Sequence, residues 1–328
     1  MTLSFKEDHI SQIPALMMLE KVGYTYLTPA EAMELRGGNA SNVLLEPILR
    51  EQLAKINTVQ VSSQRTTVFS EQNITAGIEA LRSLPMAEGY MTASQVAYDL
   101  LTAGKTLEQI VDGDRKSYVM QYIDWKHIEN NAFHVTEEFA VSRTGMSDTY
   151  RPDIVLFVNG IPLCVIECKR PDIKDSLNQA ISQHLRNQKE DGIRSLYVYS
   201  ALLLATNVNE VSYATTGTPK KFWNRWTEQF VDKTAEELYR YKLSEKVNQK
   251  HVVSDISWKE YRMCAEPTVQ YGSLKTPSIQ DSYLYNLCRP DRLLNLMYRF
   301  TLYDDGVKKI ARYQQYFAVE KVMIIFIS

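Results

Sequence analysis

Hydrophobic positions in the first 95 residues follow helical spacing, while those from 133 to 215 follow the alternation and short apolar runs of strands. Ser11 to Glu20 reads as one helix start. Thr28 opens a second helix as its N-cap, with Pro29 in first position and Glu31 placed to close a capping box, and Gly37-Gly38 stops it. Residues 42–55 and 70–83 carry two further helical patterns. Strands are predicted over 133–141, 153–158, 161–169, 196–206 and 210–215. Between the third and fourth, 175–188 reads as a helix. Leu177, Ala180, Ile181, His184, Leu185 and Gln188 share one side of it, with Gln179, Gln183 and Asn187 as a stripe beside them.

The order strand, strand, strand, helix, strand, strand predicts an α/β fold: a mixed sheet flanked by helices over about 131–230, behind a helical region over about 1–130. Helical spacing returns over 291–301 and 306–323, after a stretch containing Pro267, Gly272 and Pro277 that reads as a linker. A chain of 328 residues is long for one small core, so a division into 1–265 and 266–328 is expected.

Composition adds exclusions. Apolar residues at 45% and charged residues at 23% are ordinary for a globular protein. Four cysteines without C-x-x-C spacing argue against a zinc site or a disulfide framework. No apolar signal region follows Met1, and the longest apolar runs fall far short of the ~20 residues that span a bilayer. The expectation is a cytoplasmic chain with no membrane partner. Net charge is −2, yet residues 168–226 hold nine Lys/Arg against five Asp/Glu, a local surplus that suits a site approaching phosphates as well as an ordinary solvated surface.

That surplus surrounds the most suggestive chemistry. Pro152-Asp153 precedes one apolar strand, Asn159-Gly160 turns the chain, and the next strand ends Glu167-Cys168-Lys169. Period-2 alternation puts Val165, Glu167 and Lys169 on one face and Cys164, Ile166 and Cys168 on the other. A two-residue turn pairing Val158 with Ile161 would set Asp153 opposite Ile166, on the wrong face. A three-residue loop with Gly160 in a bulge, pairing Phe157 with Ile161, brings Asp153 onto the Glu167 face; that register, or an equivalent distortion, is expected. Asp153 and Glu167 would then offer oxygens to Mg²⁺, with the Cys168 carbonyl as a further ligand and Lys169 beside the attacking water. Spacing alone leaves open a plain surface aspartate and a strand-end Glu167–Lys169 ion pair. Gln183 could bond phosphate or a metal-bound water, or be an exposed helix residue. His184 reads as a core residue and Cys164 and Cys168 as buried apolar ones. Lys220 to Trp226 mixes phosphate-binding and base-stacking side chains, or is core aromatics with solvated lysines.

The run Arg151 to Lys169 resembles the nuclease motif of restriction subunits of type I restriction–modification enzymes, and the likeness extends through Ala205 to Asn207, Gly217 to Trp226, Leu293 to Asp304 and Arg312 to Val319. The resemblance implies a PD-(D/E)xK restriction-endonuclease-like core cutting double-stranded DNA with Mg²⁺. Asp153 and Glu167 match the family's metal-binding acids, Lys169 its catalytic lysine, and Gln183 the glutamine of a Gln-x-x-x-Tyr motif. Asn187 stands where the tyrosine is expected, where it could still hydrogen-bond phosphate. Modification and specificity subunits are implied as partners. Family members continue into an ATP-driven, helicase-like motor, but no G-x-x-x-x-G-K-[S/T] occurs here. The chain is therefore expected to be an N-terminal or truncated piece in which 266–328 holds the linker and first motor helices. A non-catalytic DNA-docking or assembly fragment is the competing expectation.

Overall fold

The computed structural model describes residues 11–62, 65–249 and 274–327. Its centre is a six-stranded mixed sheet in the order β1-β6-β9-β10-β11-β12, built from β1 (Thr25–Leu27), β6 (Phe133–Glu137), β9 (Ile154–Val158), β10 (Ile161–Cys168), β11 (Leu202–Thr206) and β12 (Val211–Ala214). β10 and β11 run parallel, and β9 pairs antiparallel with both β6 and β10. Every residue of β9, β10 and β11 is buried. Strands so apolar throughout need cover on both faces. Helix α1 (Ile13–Lys21) packs on β6, and α6 (Ser176–Asn187) packs on β10 and β11. Under α6, Ala180, Ile181 and Ala205 form a small apolar cluster with Leu177, Leu185 and Trp223, as the helical spacing anticipates.

The β9–β10 hairpin departs from the expected loop. Asn159 and Gly160 form a two-residue turn with φ of 52° and 80°, and Val158 pairs with Ile161. Two successive left-handed residues match the right-handed twist of the flanking strands. Inside β10 the register slips between Pro162 and Cys164, which leaves Leu163 as the extra residue. Pro162 has no N–H to continue the ladder, so a break there costs little. Beyond it Ile154 faces Ile166, and continuing the pairing sets Asp153 opposite Glu167. The bulge exists, but in the strand and not in the turn.

Other boundaries also need correction. The region expected to be helical holds α2 (Pro29–Glu34), α3 (Glu46–Ile56), α4 (Glu71–Arg82) and α5 (Tyr90–Ala103), with the capping box at Thr28 and Glu31 formed. It also holds two hairpins, β2 (Thr58–Ser62) with β3 (Arg65–Val68) and β4 (Lys105–Val111) with β5 (Asp114–Met120), and β1 joins the main sheet. The turn of the second hairpin, Asp112-Gly113, has φ of 53° and 88°. The strand expected over 133–141 ends at Glu137, where Glu138 turns left-handed at φ 46°, and a short pair, β7 (Val141–Ser142) with β8 (Thr149–Tyr150), follows. The strand expected over 196–206 starts only at Leu202, because Arg194–Tyr197 forms the short helix α7. The helix expected over 306–323 starts only at Tyr313, behind a hairpin of β13 (Thr301–Asp304) and β14 (Val307–Ile310) whose turn, Asp305-Gly306, again has two positive φ values.

The boundary expected at 265–266, with Pro267 and Gly272, lies outside the described residues. The described part of the second segment lies directly on the first. Tyr24 donates to the Cys288 carbonyl at 2.6 Å, Arg292 meets Glu228 at 2.8 Å, and one continuous apolar core runs from Ile13 to Tyr316. Among the described residues no helix is long and apolar enough to cross a membrane.

Lys308 on β14 is 3% exposed, and its Nζ donates to the Ser200 carbonyl at 3.0 Å. Burial pushes its ammonium down from 10.5 to about 7. Between those values the unfolded chain binds a proton that the folded chain does not. Stability therefore rises with pH across that window, by up to about 1.4 kcal/mol per unit from this group. Lys308→Met is expected to abolish this rise. Urea unfolding midpoints at both ends of the window measure it, and an undiminished slope in the variant would assign the rise to another group.

Candidate active site

Asp153 lies one residue before β9, and its backbone is fixed from two sides. Its carbonyl accepts from the Glu138 N–H at 3.1 Å and from Gln12 Nε2 at 3.0 Å. Its carboxylate Oδ2 takes the Cys168 N–H at 2.6 Å. Short charge-assisted bonds of this kind are stronger than neutral ones. Across the pairing, Glu167 is 0% exposed. Asn187 Nδ2 donates to Glu167 Oε1 at 3.1 Å, while Oε2 has no hydrogen-bond partner among the described residues. Burial, then the charge of Asp153, holds the Glu167 carboxyl well above the usual carboxylate range, with Lys169 and Arg186 pulling it back down.

Lys169 completes the group. Its Nζ donates to the Cys168 carbonyl at 2.8 Å and lies 3.5 Å from Asp153 Oδ2. The expected ligands Asp153, Glu167 and the Cys168 carbonyl are thus brought together with Lys169. A buried acceptor without a partner, beside a second carboxylate, is what a hard divalent cation would satisfy, and Mg²⁺ commonly takes only one or two carboxylates. The donor set therefore fits the ion, although no cluster of three or more His, Cys, Asp or Glu residues occurs among the described residues. Cys164 and Cys168 are buried free thiols, and burial raises both.

Gln183 shares an open groove of about 370 Å³ with Lys169, Gln179, Arg186 and Lys220, and neither Asp153 nor Glu167 lines that groove. Lys220 reaches this groove from the 220–226 segment, whose other side chains divide: Phe222 is exposed, Trp223 packs on the His184 ring and Trp226 is buried. His184 is a core residue, as expected, and burial pushes its imidazole down to about 3.

Asn187 is the correction here. It is 0% exposed and spent on Glu167 and on the Tyr197 hydroxyl, so it is not available to bond a phosphate. Sequence reasoning also missed Tyr197, which falls inside an expected strand, and Arg186, whose guanidinium stacks on Tyr150 at 4.6 Å. The only sequence signal for this group was the helical offset that puts residues 183, 186 and 187 on one turn.

The chain is 26% identical over 329 residues to the type I restriction enzyme HindI endonuclease subunit of Haemophilus influenzae, covering 97% of this chain and 26% of that protein. It is 24% identical over 318 residues to the MjaIXP protein of Methanocaldococcus jannaschii, whose name gives it provisionally as a type I restriction enzyme endonuclease subunit; 97% of this chain and 27% of that protein are covered. The chain thus spans about a quarter of the length of these curated relatives. The family described as type I restriction enzyme R protein N terminus (HSDR_N) matches residues 4–222, and the chain belongs to that family.

Proposed function

We propose that this chain carries the Mg²⁺-dependent endonuclease domain of a type I restriction enzyme, with a PD-(D/E)xK core that hydrolyses phosphodiester bonds of double-stranded DNA. The observation that carries the reading is the pairing of Asp153 with Glu167 on neighbouring strands, with Glu167 Oε2 left open and Lys169 within reach of Asp153. Asp153, Glu167 and the Cys168 carbonyl would hold the cation, which when bound supplies a water of lowered pKa and offsets phosphate charge. The Lys169 ammonium, anchored by the Cys168 carbonyl, orients the attacking water and balances charge building on the phosphate. Gln183, Arg186 and Lys220 line the groove that leads to this point and bind the DNA backbone there. Modification and specificity subunits would be the protein partners, in the cytoplasm, and residues 266–328 would lead into an ATP-driven motor.

Nicking of supercoiled plasmid tests the reading. Open-circular product is expected with Mg²⁺, none with EDTA, and a loss on the order of 10³-fold in Glu167→Ala, about 4 kcal/mol of lost transition-state stabilisation. Equal cleavage by the chain and by Glu167→Ala would sink the assignment. No cleavage by either would favour the docking or assembly fragment.

A further inference from the structure

Glu167 hangs from a chain of hydrogen bonds in which every proton can be assigned. His184 Nε2 lies 2.9 Å from the Leu204 carbonyl, which can only accept, so Nε2 carries the proton and Nδ1 the lone pair. The Tyr197 hydroxyl, 3.0 Å from Nδ1, therefore donates to it and keeps its oxygen as an acceptor. Asn187 Nδ2 stands 3.3 Å from that oxygen and 3.1 Å from Glu167 Oε1. Both partners accept, which fixes the orientation of the amide, and Asn187 Oδ1 faces Arg186 Nη2 at 3.3 Å. His184, Asn187 and Tyr197 are each 0% exposed, so every link is held away from bulk solvent.

We infer that Asn187 and Tyr197 are positioning residues for Glu167: Tyr197 locks the Asn187 amide, and the amide holds Oε1, so that Oε2 is the oxygen presented to a divalent cation. The inference rests on the metal-site reading above. A glutamate carboxylate turns easily about its last bond, and the Asn187 bond is what distinguishes the two oxygens here. Tyr197 comes from α7 and Asn187 from the end of α6, so the link also ties the helix beside the groove to the short helix that follows it. Partners of metal ligands commonly change metal affinity about 10–100-fold when removed.

Mn²⁺ binding to the full chain, measured by titration calorimetry, tests this in Tyr197→Phe, Asn187→Leu and the double variant. Each single change is expected to weaken Mn²⁺ about 10-fold or more. The double is expected to be no weaker than Asn187→Leu alone, because Tyr197 acts only through Asn187. Losses that multiply in the double would mean that Tyr197 supports the fold at large, and would overturn the inference; so would unchanged affinity in Tyr197→Phe. Should Tyr197→Phe not fold, Asn187→Leu carries the test alone, and unchanged affinity there overturns the inference. Glu167→Gln separates the two readings. Mn²⁺ binding that Glu167→Gln leaves intact removes the metal site together with this inference. Binding lost in Glu167→Gln but untouched in Tyr197→Phe removes the positioning role alone.

Discussion

Glu167→Gln is expected to raise the stability of the metal-free chain while abolishing the Mg²⁺-dependent cleavage proposed for it. The two effects have one origin. Glu167 is completely buried, accepts one hydrogen bond from Asn187 and faces the Asp153 carboxylate, to which its protonated form donates, so its folded form holds a proton that the unfolded chain releases near 4.5. Above that pH the folded chain binds more protons than the unfolded one, and stability falls as pH rises, by up to about 1.4 kcal/mol per unit from this group. The glutamine has the same shape, cannot ionise, and offers an N–H toward Asp153. A gain of about 1–3 kcal/mol near neutral pH follows, or several degrees in Tm. The proposed catalysis moves the other way, because an amide would be a much weaker cation ligand than the carboxylate; the expected loss is on the order of 10³-fold. Melts in EDTA between pH 5 and 7 keep clear of the Lys308 window. A Glu167→Gln protein that is less stable, or whose stability still falls with pH, would mean that Glu167 is ionised and well satisfied without metal.

Gly160→Ala is expected to be the most damaging small substitution in the hairpin. Gly160 sits at φ +80°, and an added Cβ would lie 2.5 Å from the Leu45 carbonyl oxygen and 3.0 Å from the Leu49 nitrogen. Both are backbone atoms at the start of α3, and the Leu45 N–H is itself bonded to the Gly160 carbonyl at 2.9 Å. Neither side can yield without breaking that contact. Strain at positive φ and the clash together should cost about 3–4 kcal/mol. Urea unfolding should show a lower midpoint with an unchanged slope. A loss under about 1 kcal/mol would show that the turn and α3 can separate freely.

How much of this was legible in the sequence depends on the range of the forces involved. Alternation and apolar runs located β9 and β10, and helical spacing located α6 within one residue at each end, because both reflect burial of consecutive neighbours. The need for a register shift was also legible, since the two-residue turn alone puts Asp153 on the wrong face. Its place was not: Asn159 is buried, with its Nδ2 bonded to the Tyr122 carbonyl and its Oδ1 to the Ala132 N–H, and these distant anchors hold the turn tight and move the extra residue to Leu163. Asp-Gly pairs favour tight hairpin turns, but Asp112-Gly113 falls inside a stretch assigned to the helical region and Gly306 inside a segment read as a helix. Asn187 and Tyr197 were beyond reach, because nothing local to either residue points at Glu167.

The slip at Leu163 makes the site a matter of parity. Asp153 and Glu167 share a face because one extra residue separates an unbroken hairpin from this one. Adding or removing a single residue between them would put the two carboxylates on opposite faces of the sheet, whereas a change of two would restore the pair. Related chains can therefore lengthen or shorten this hairpin freely only in steps of two residues. A single-residue difference would have to come with a second bulge elsewhere in the same two strands.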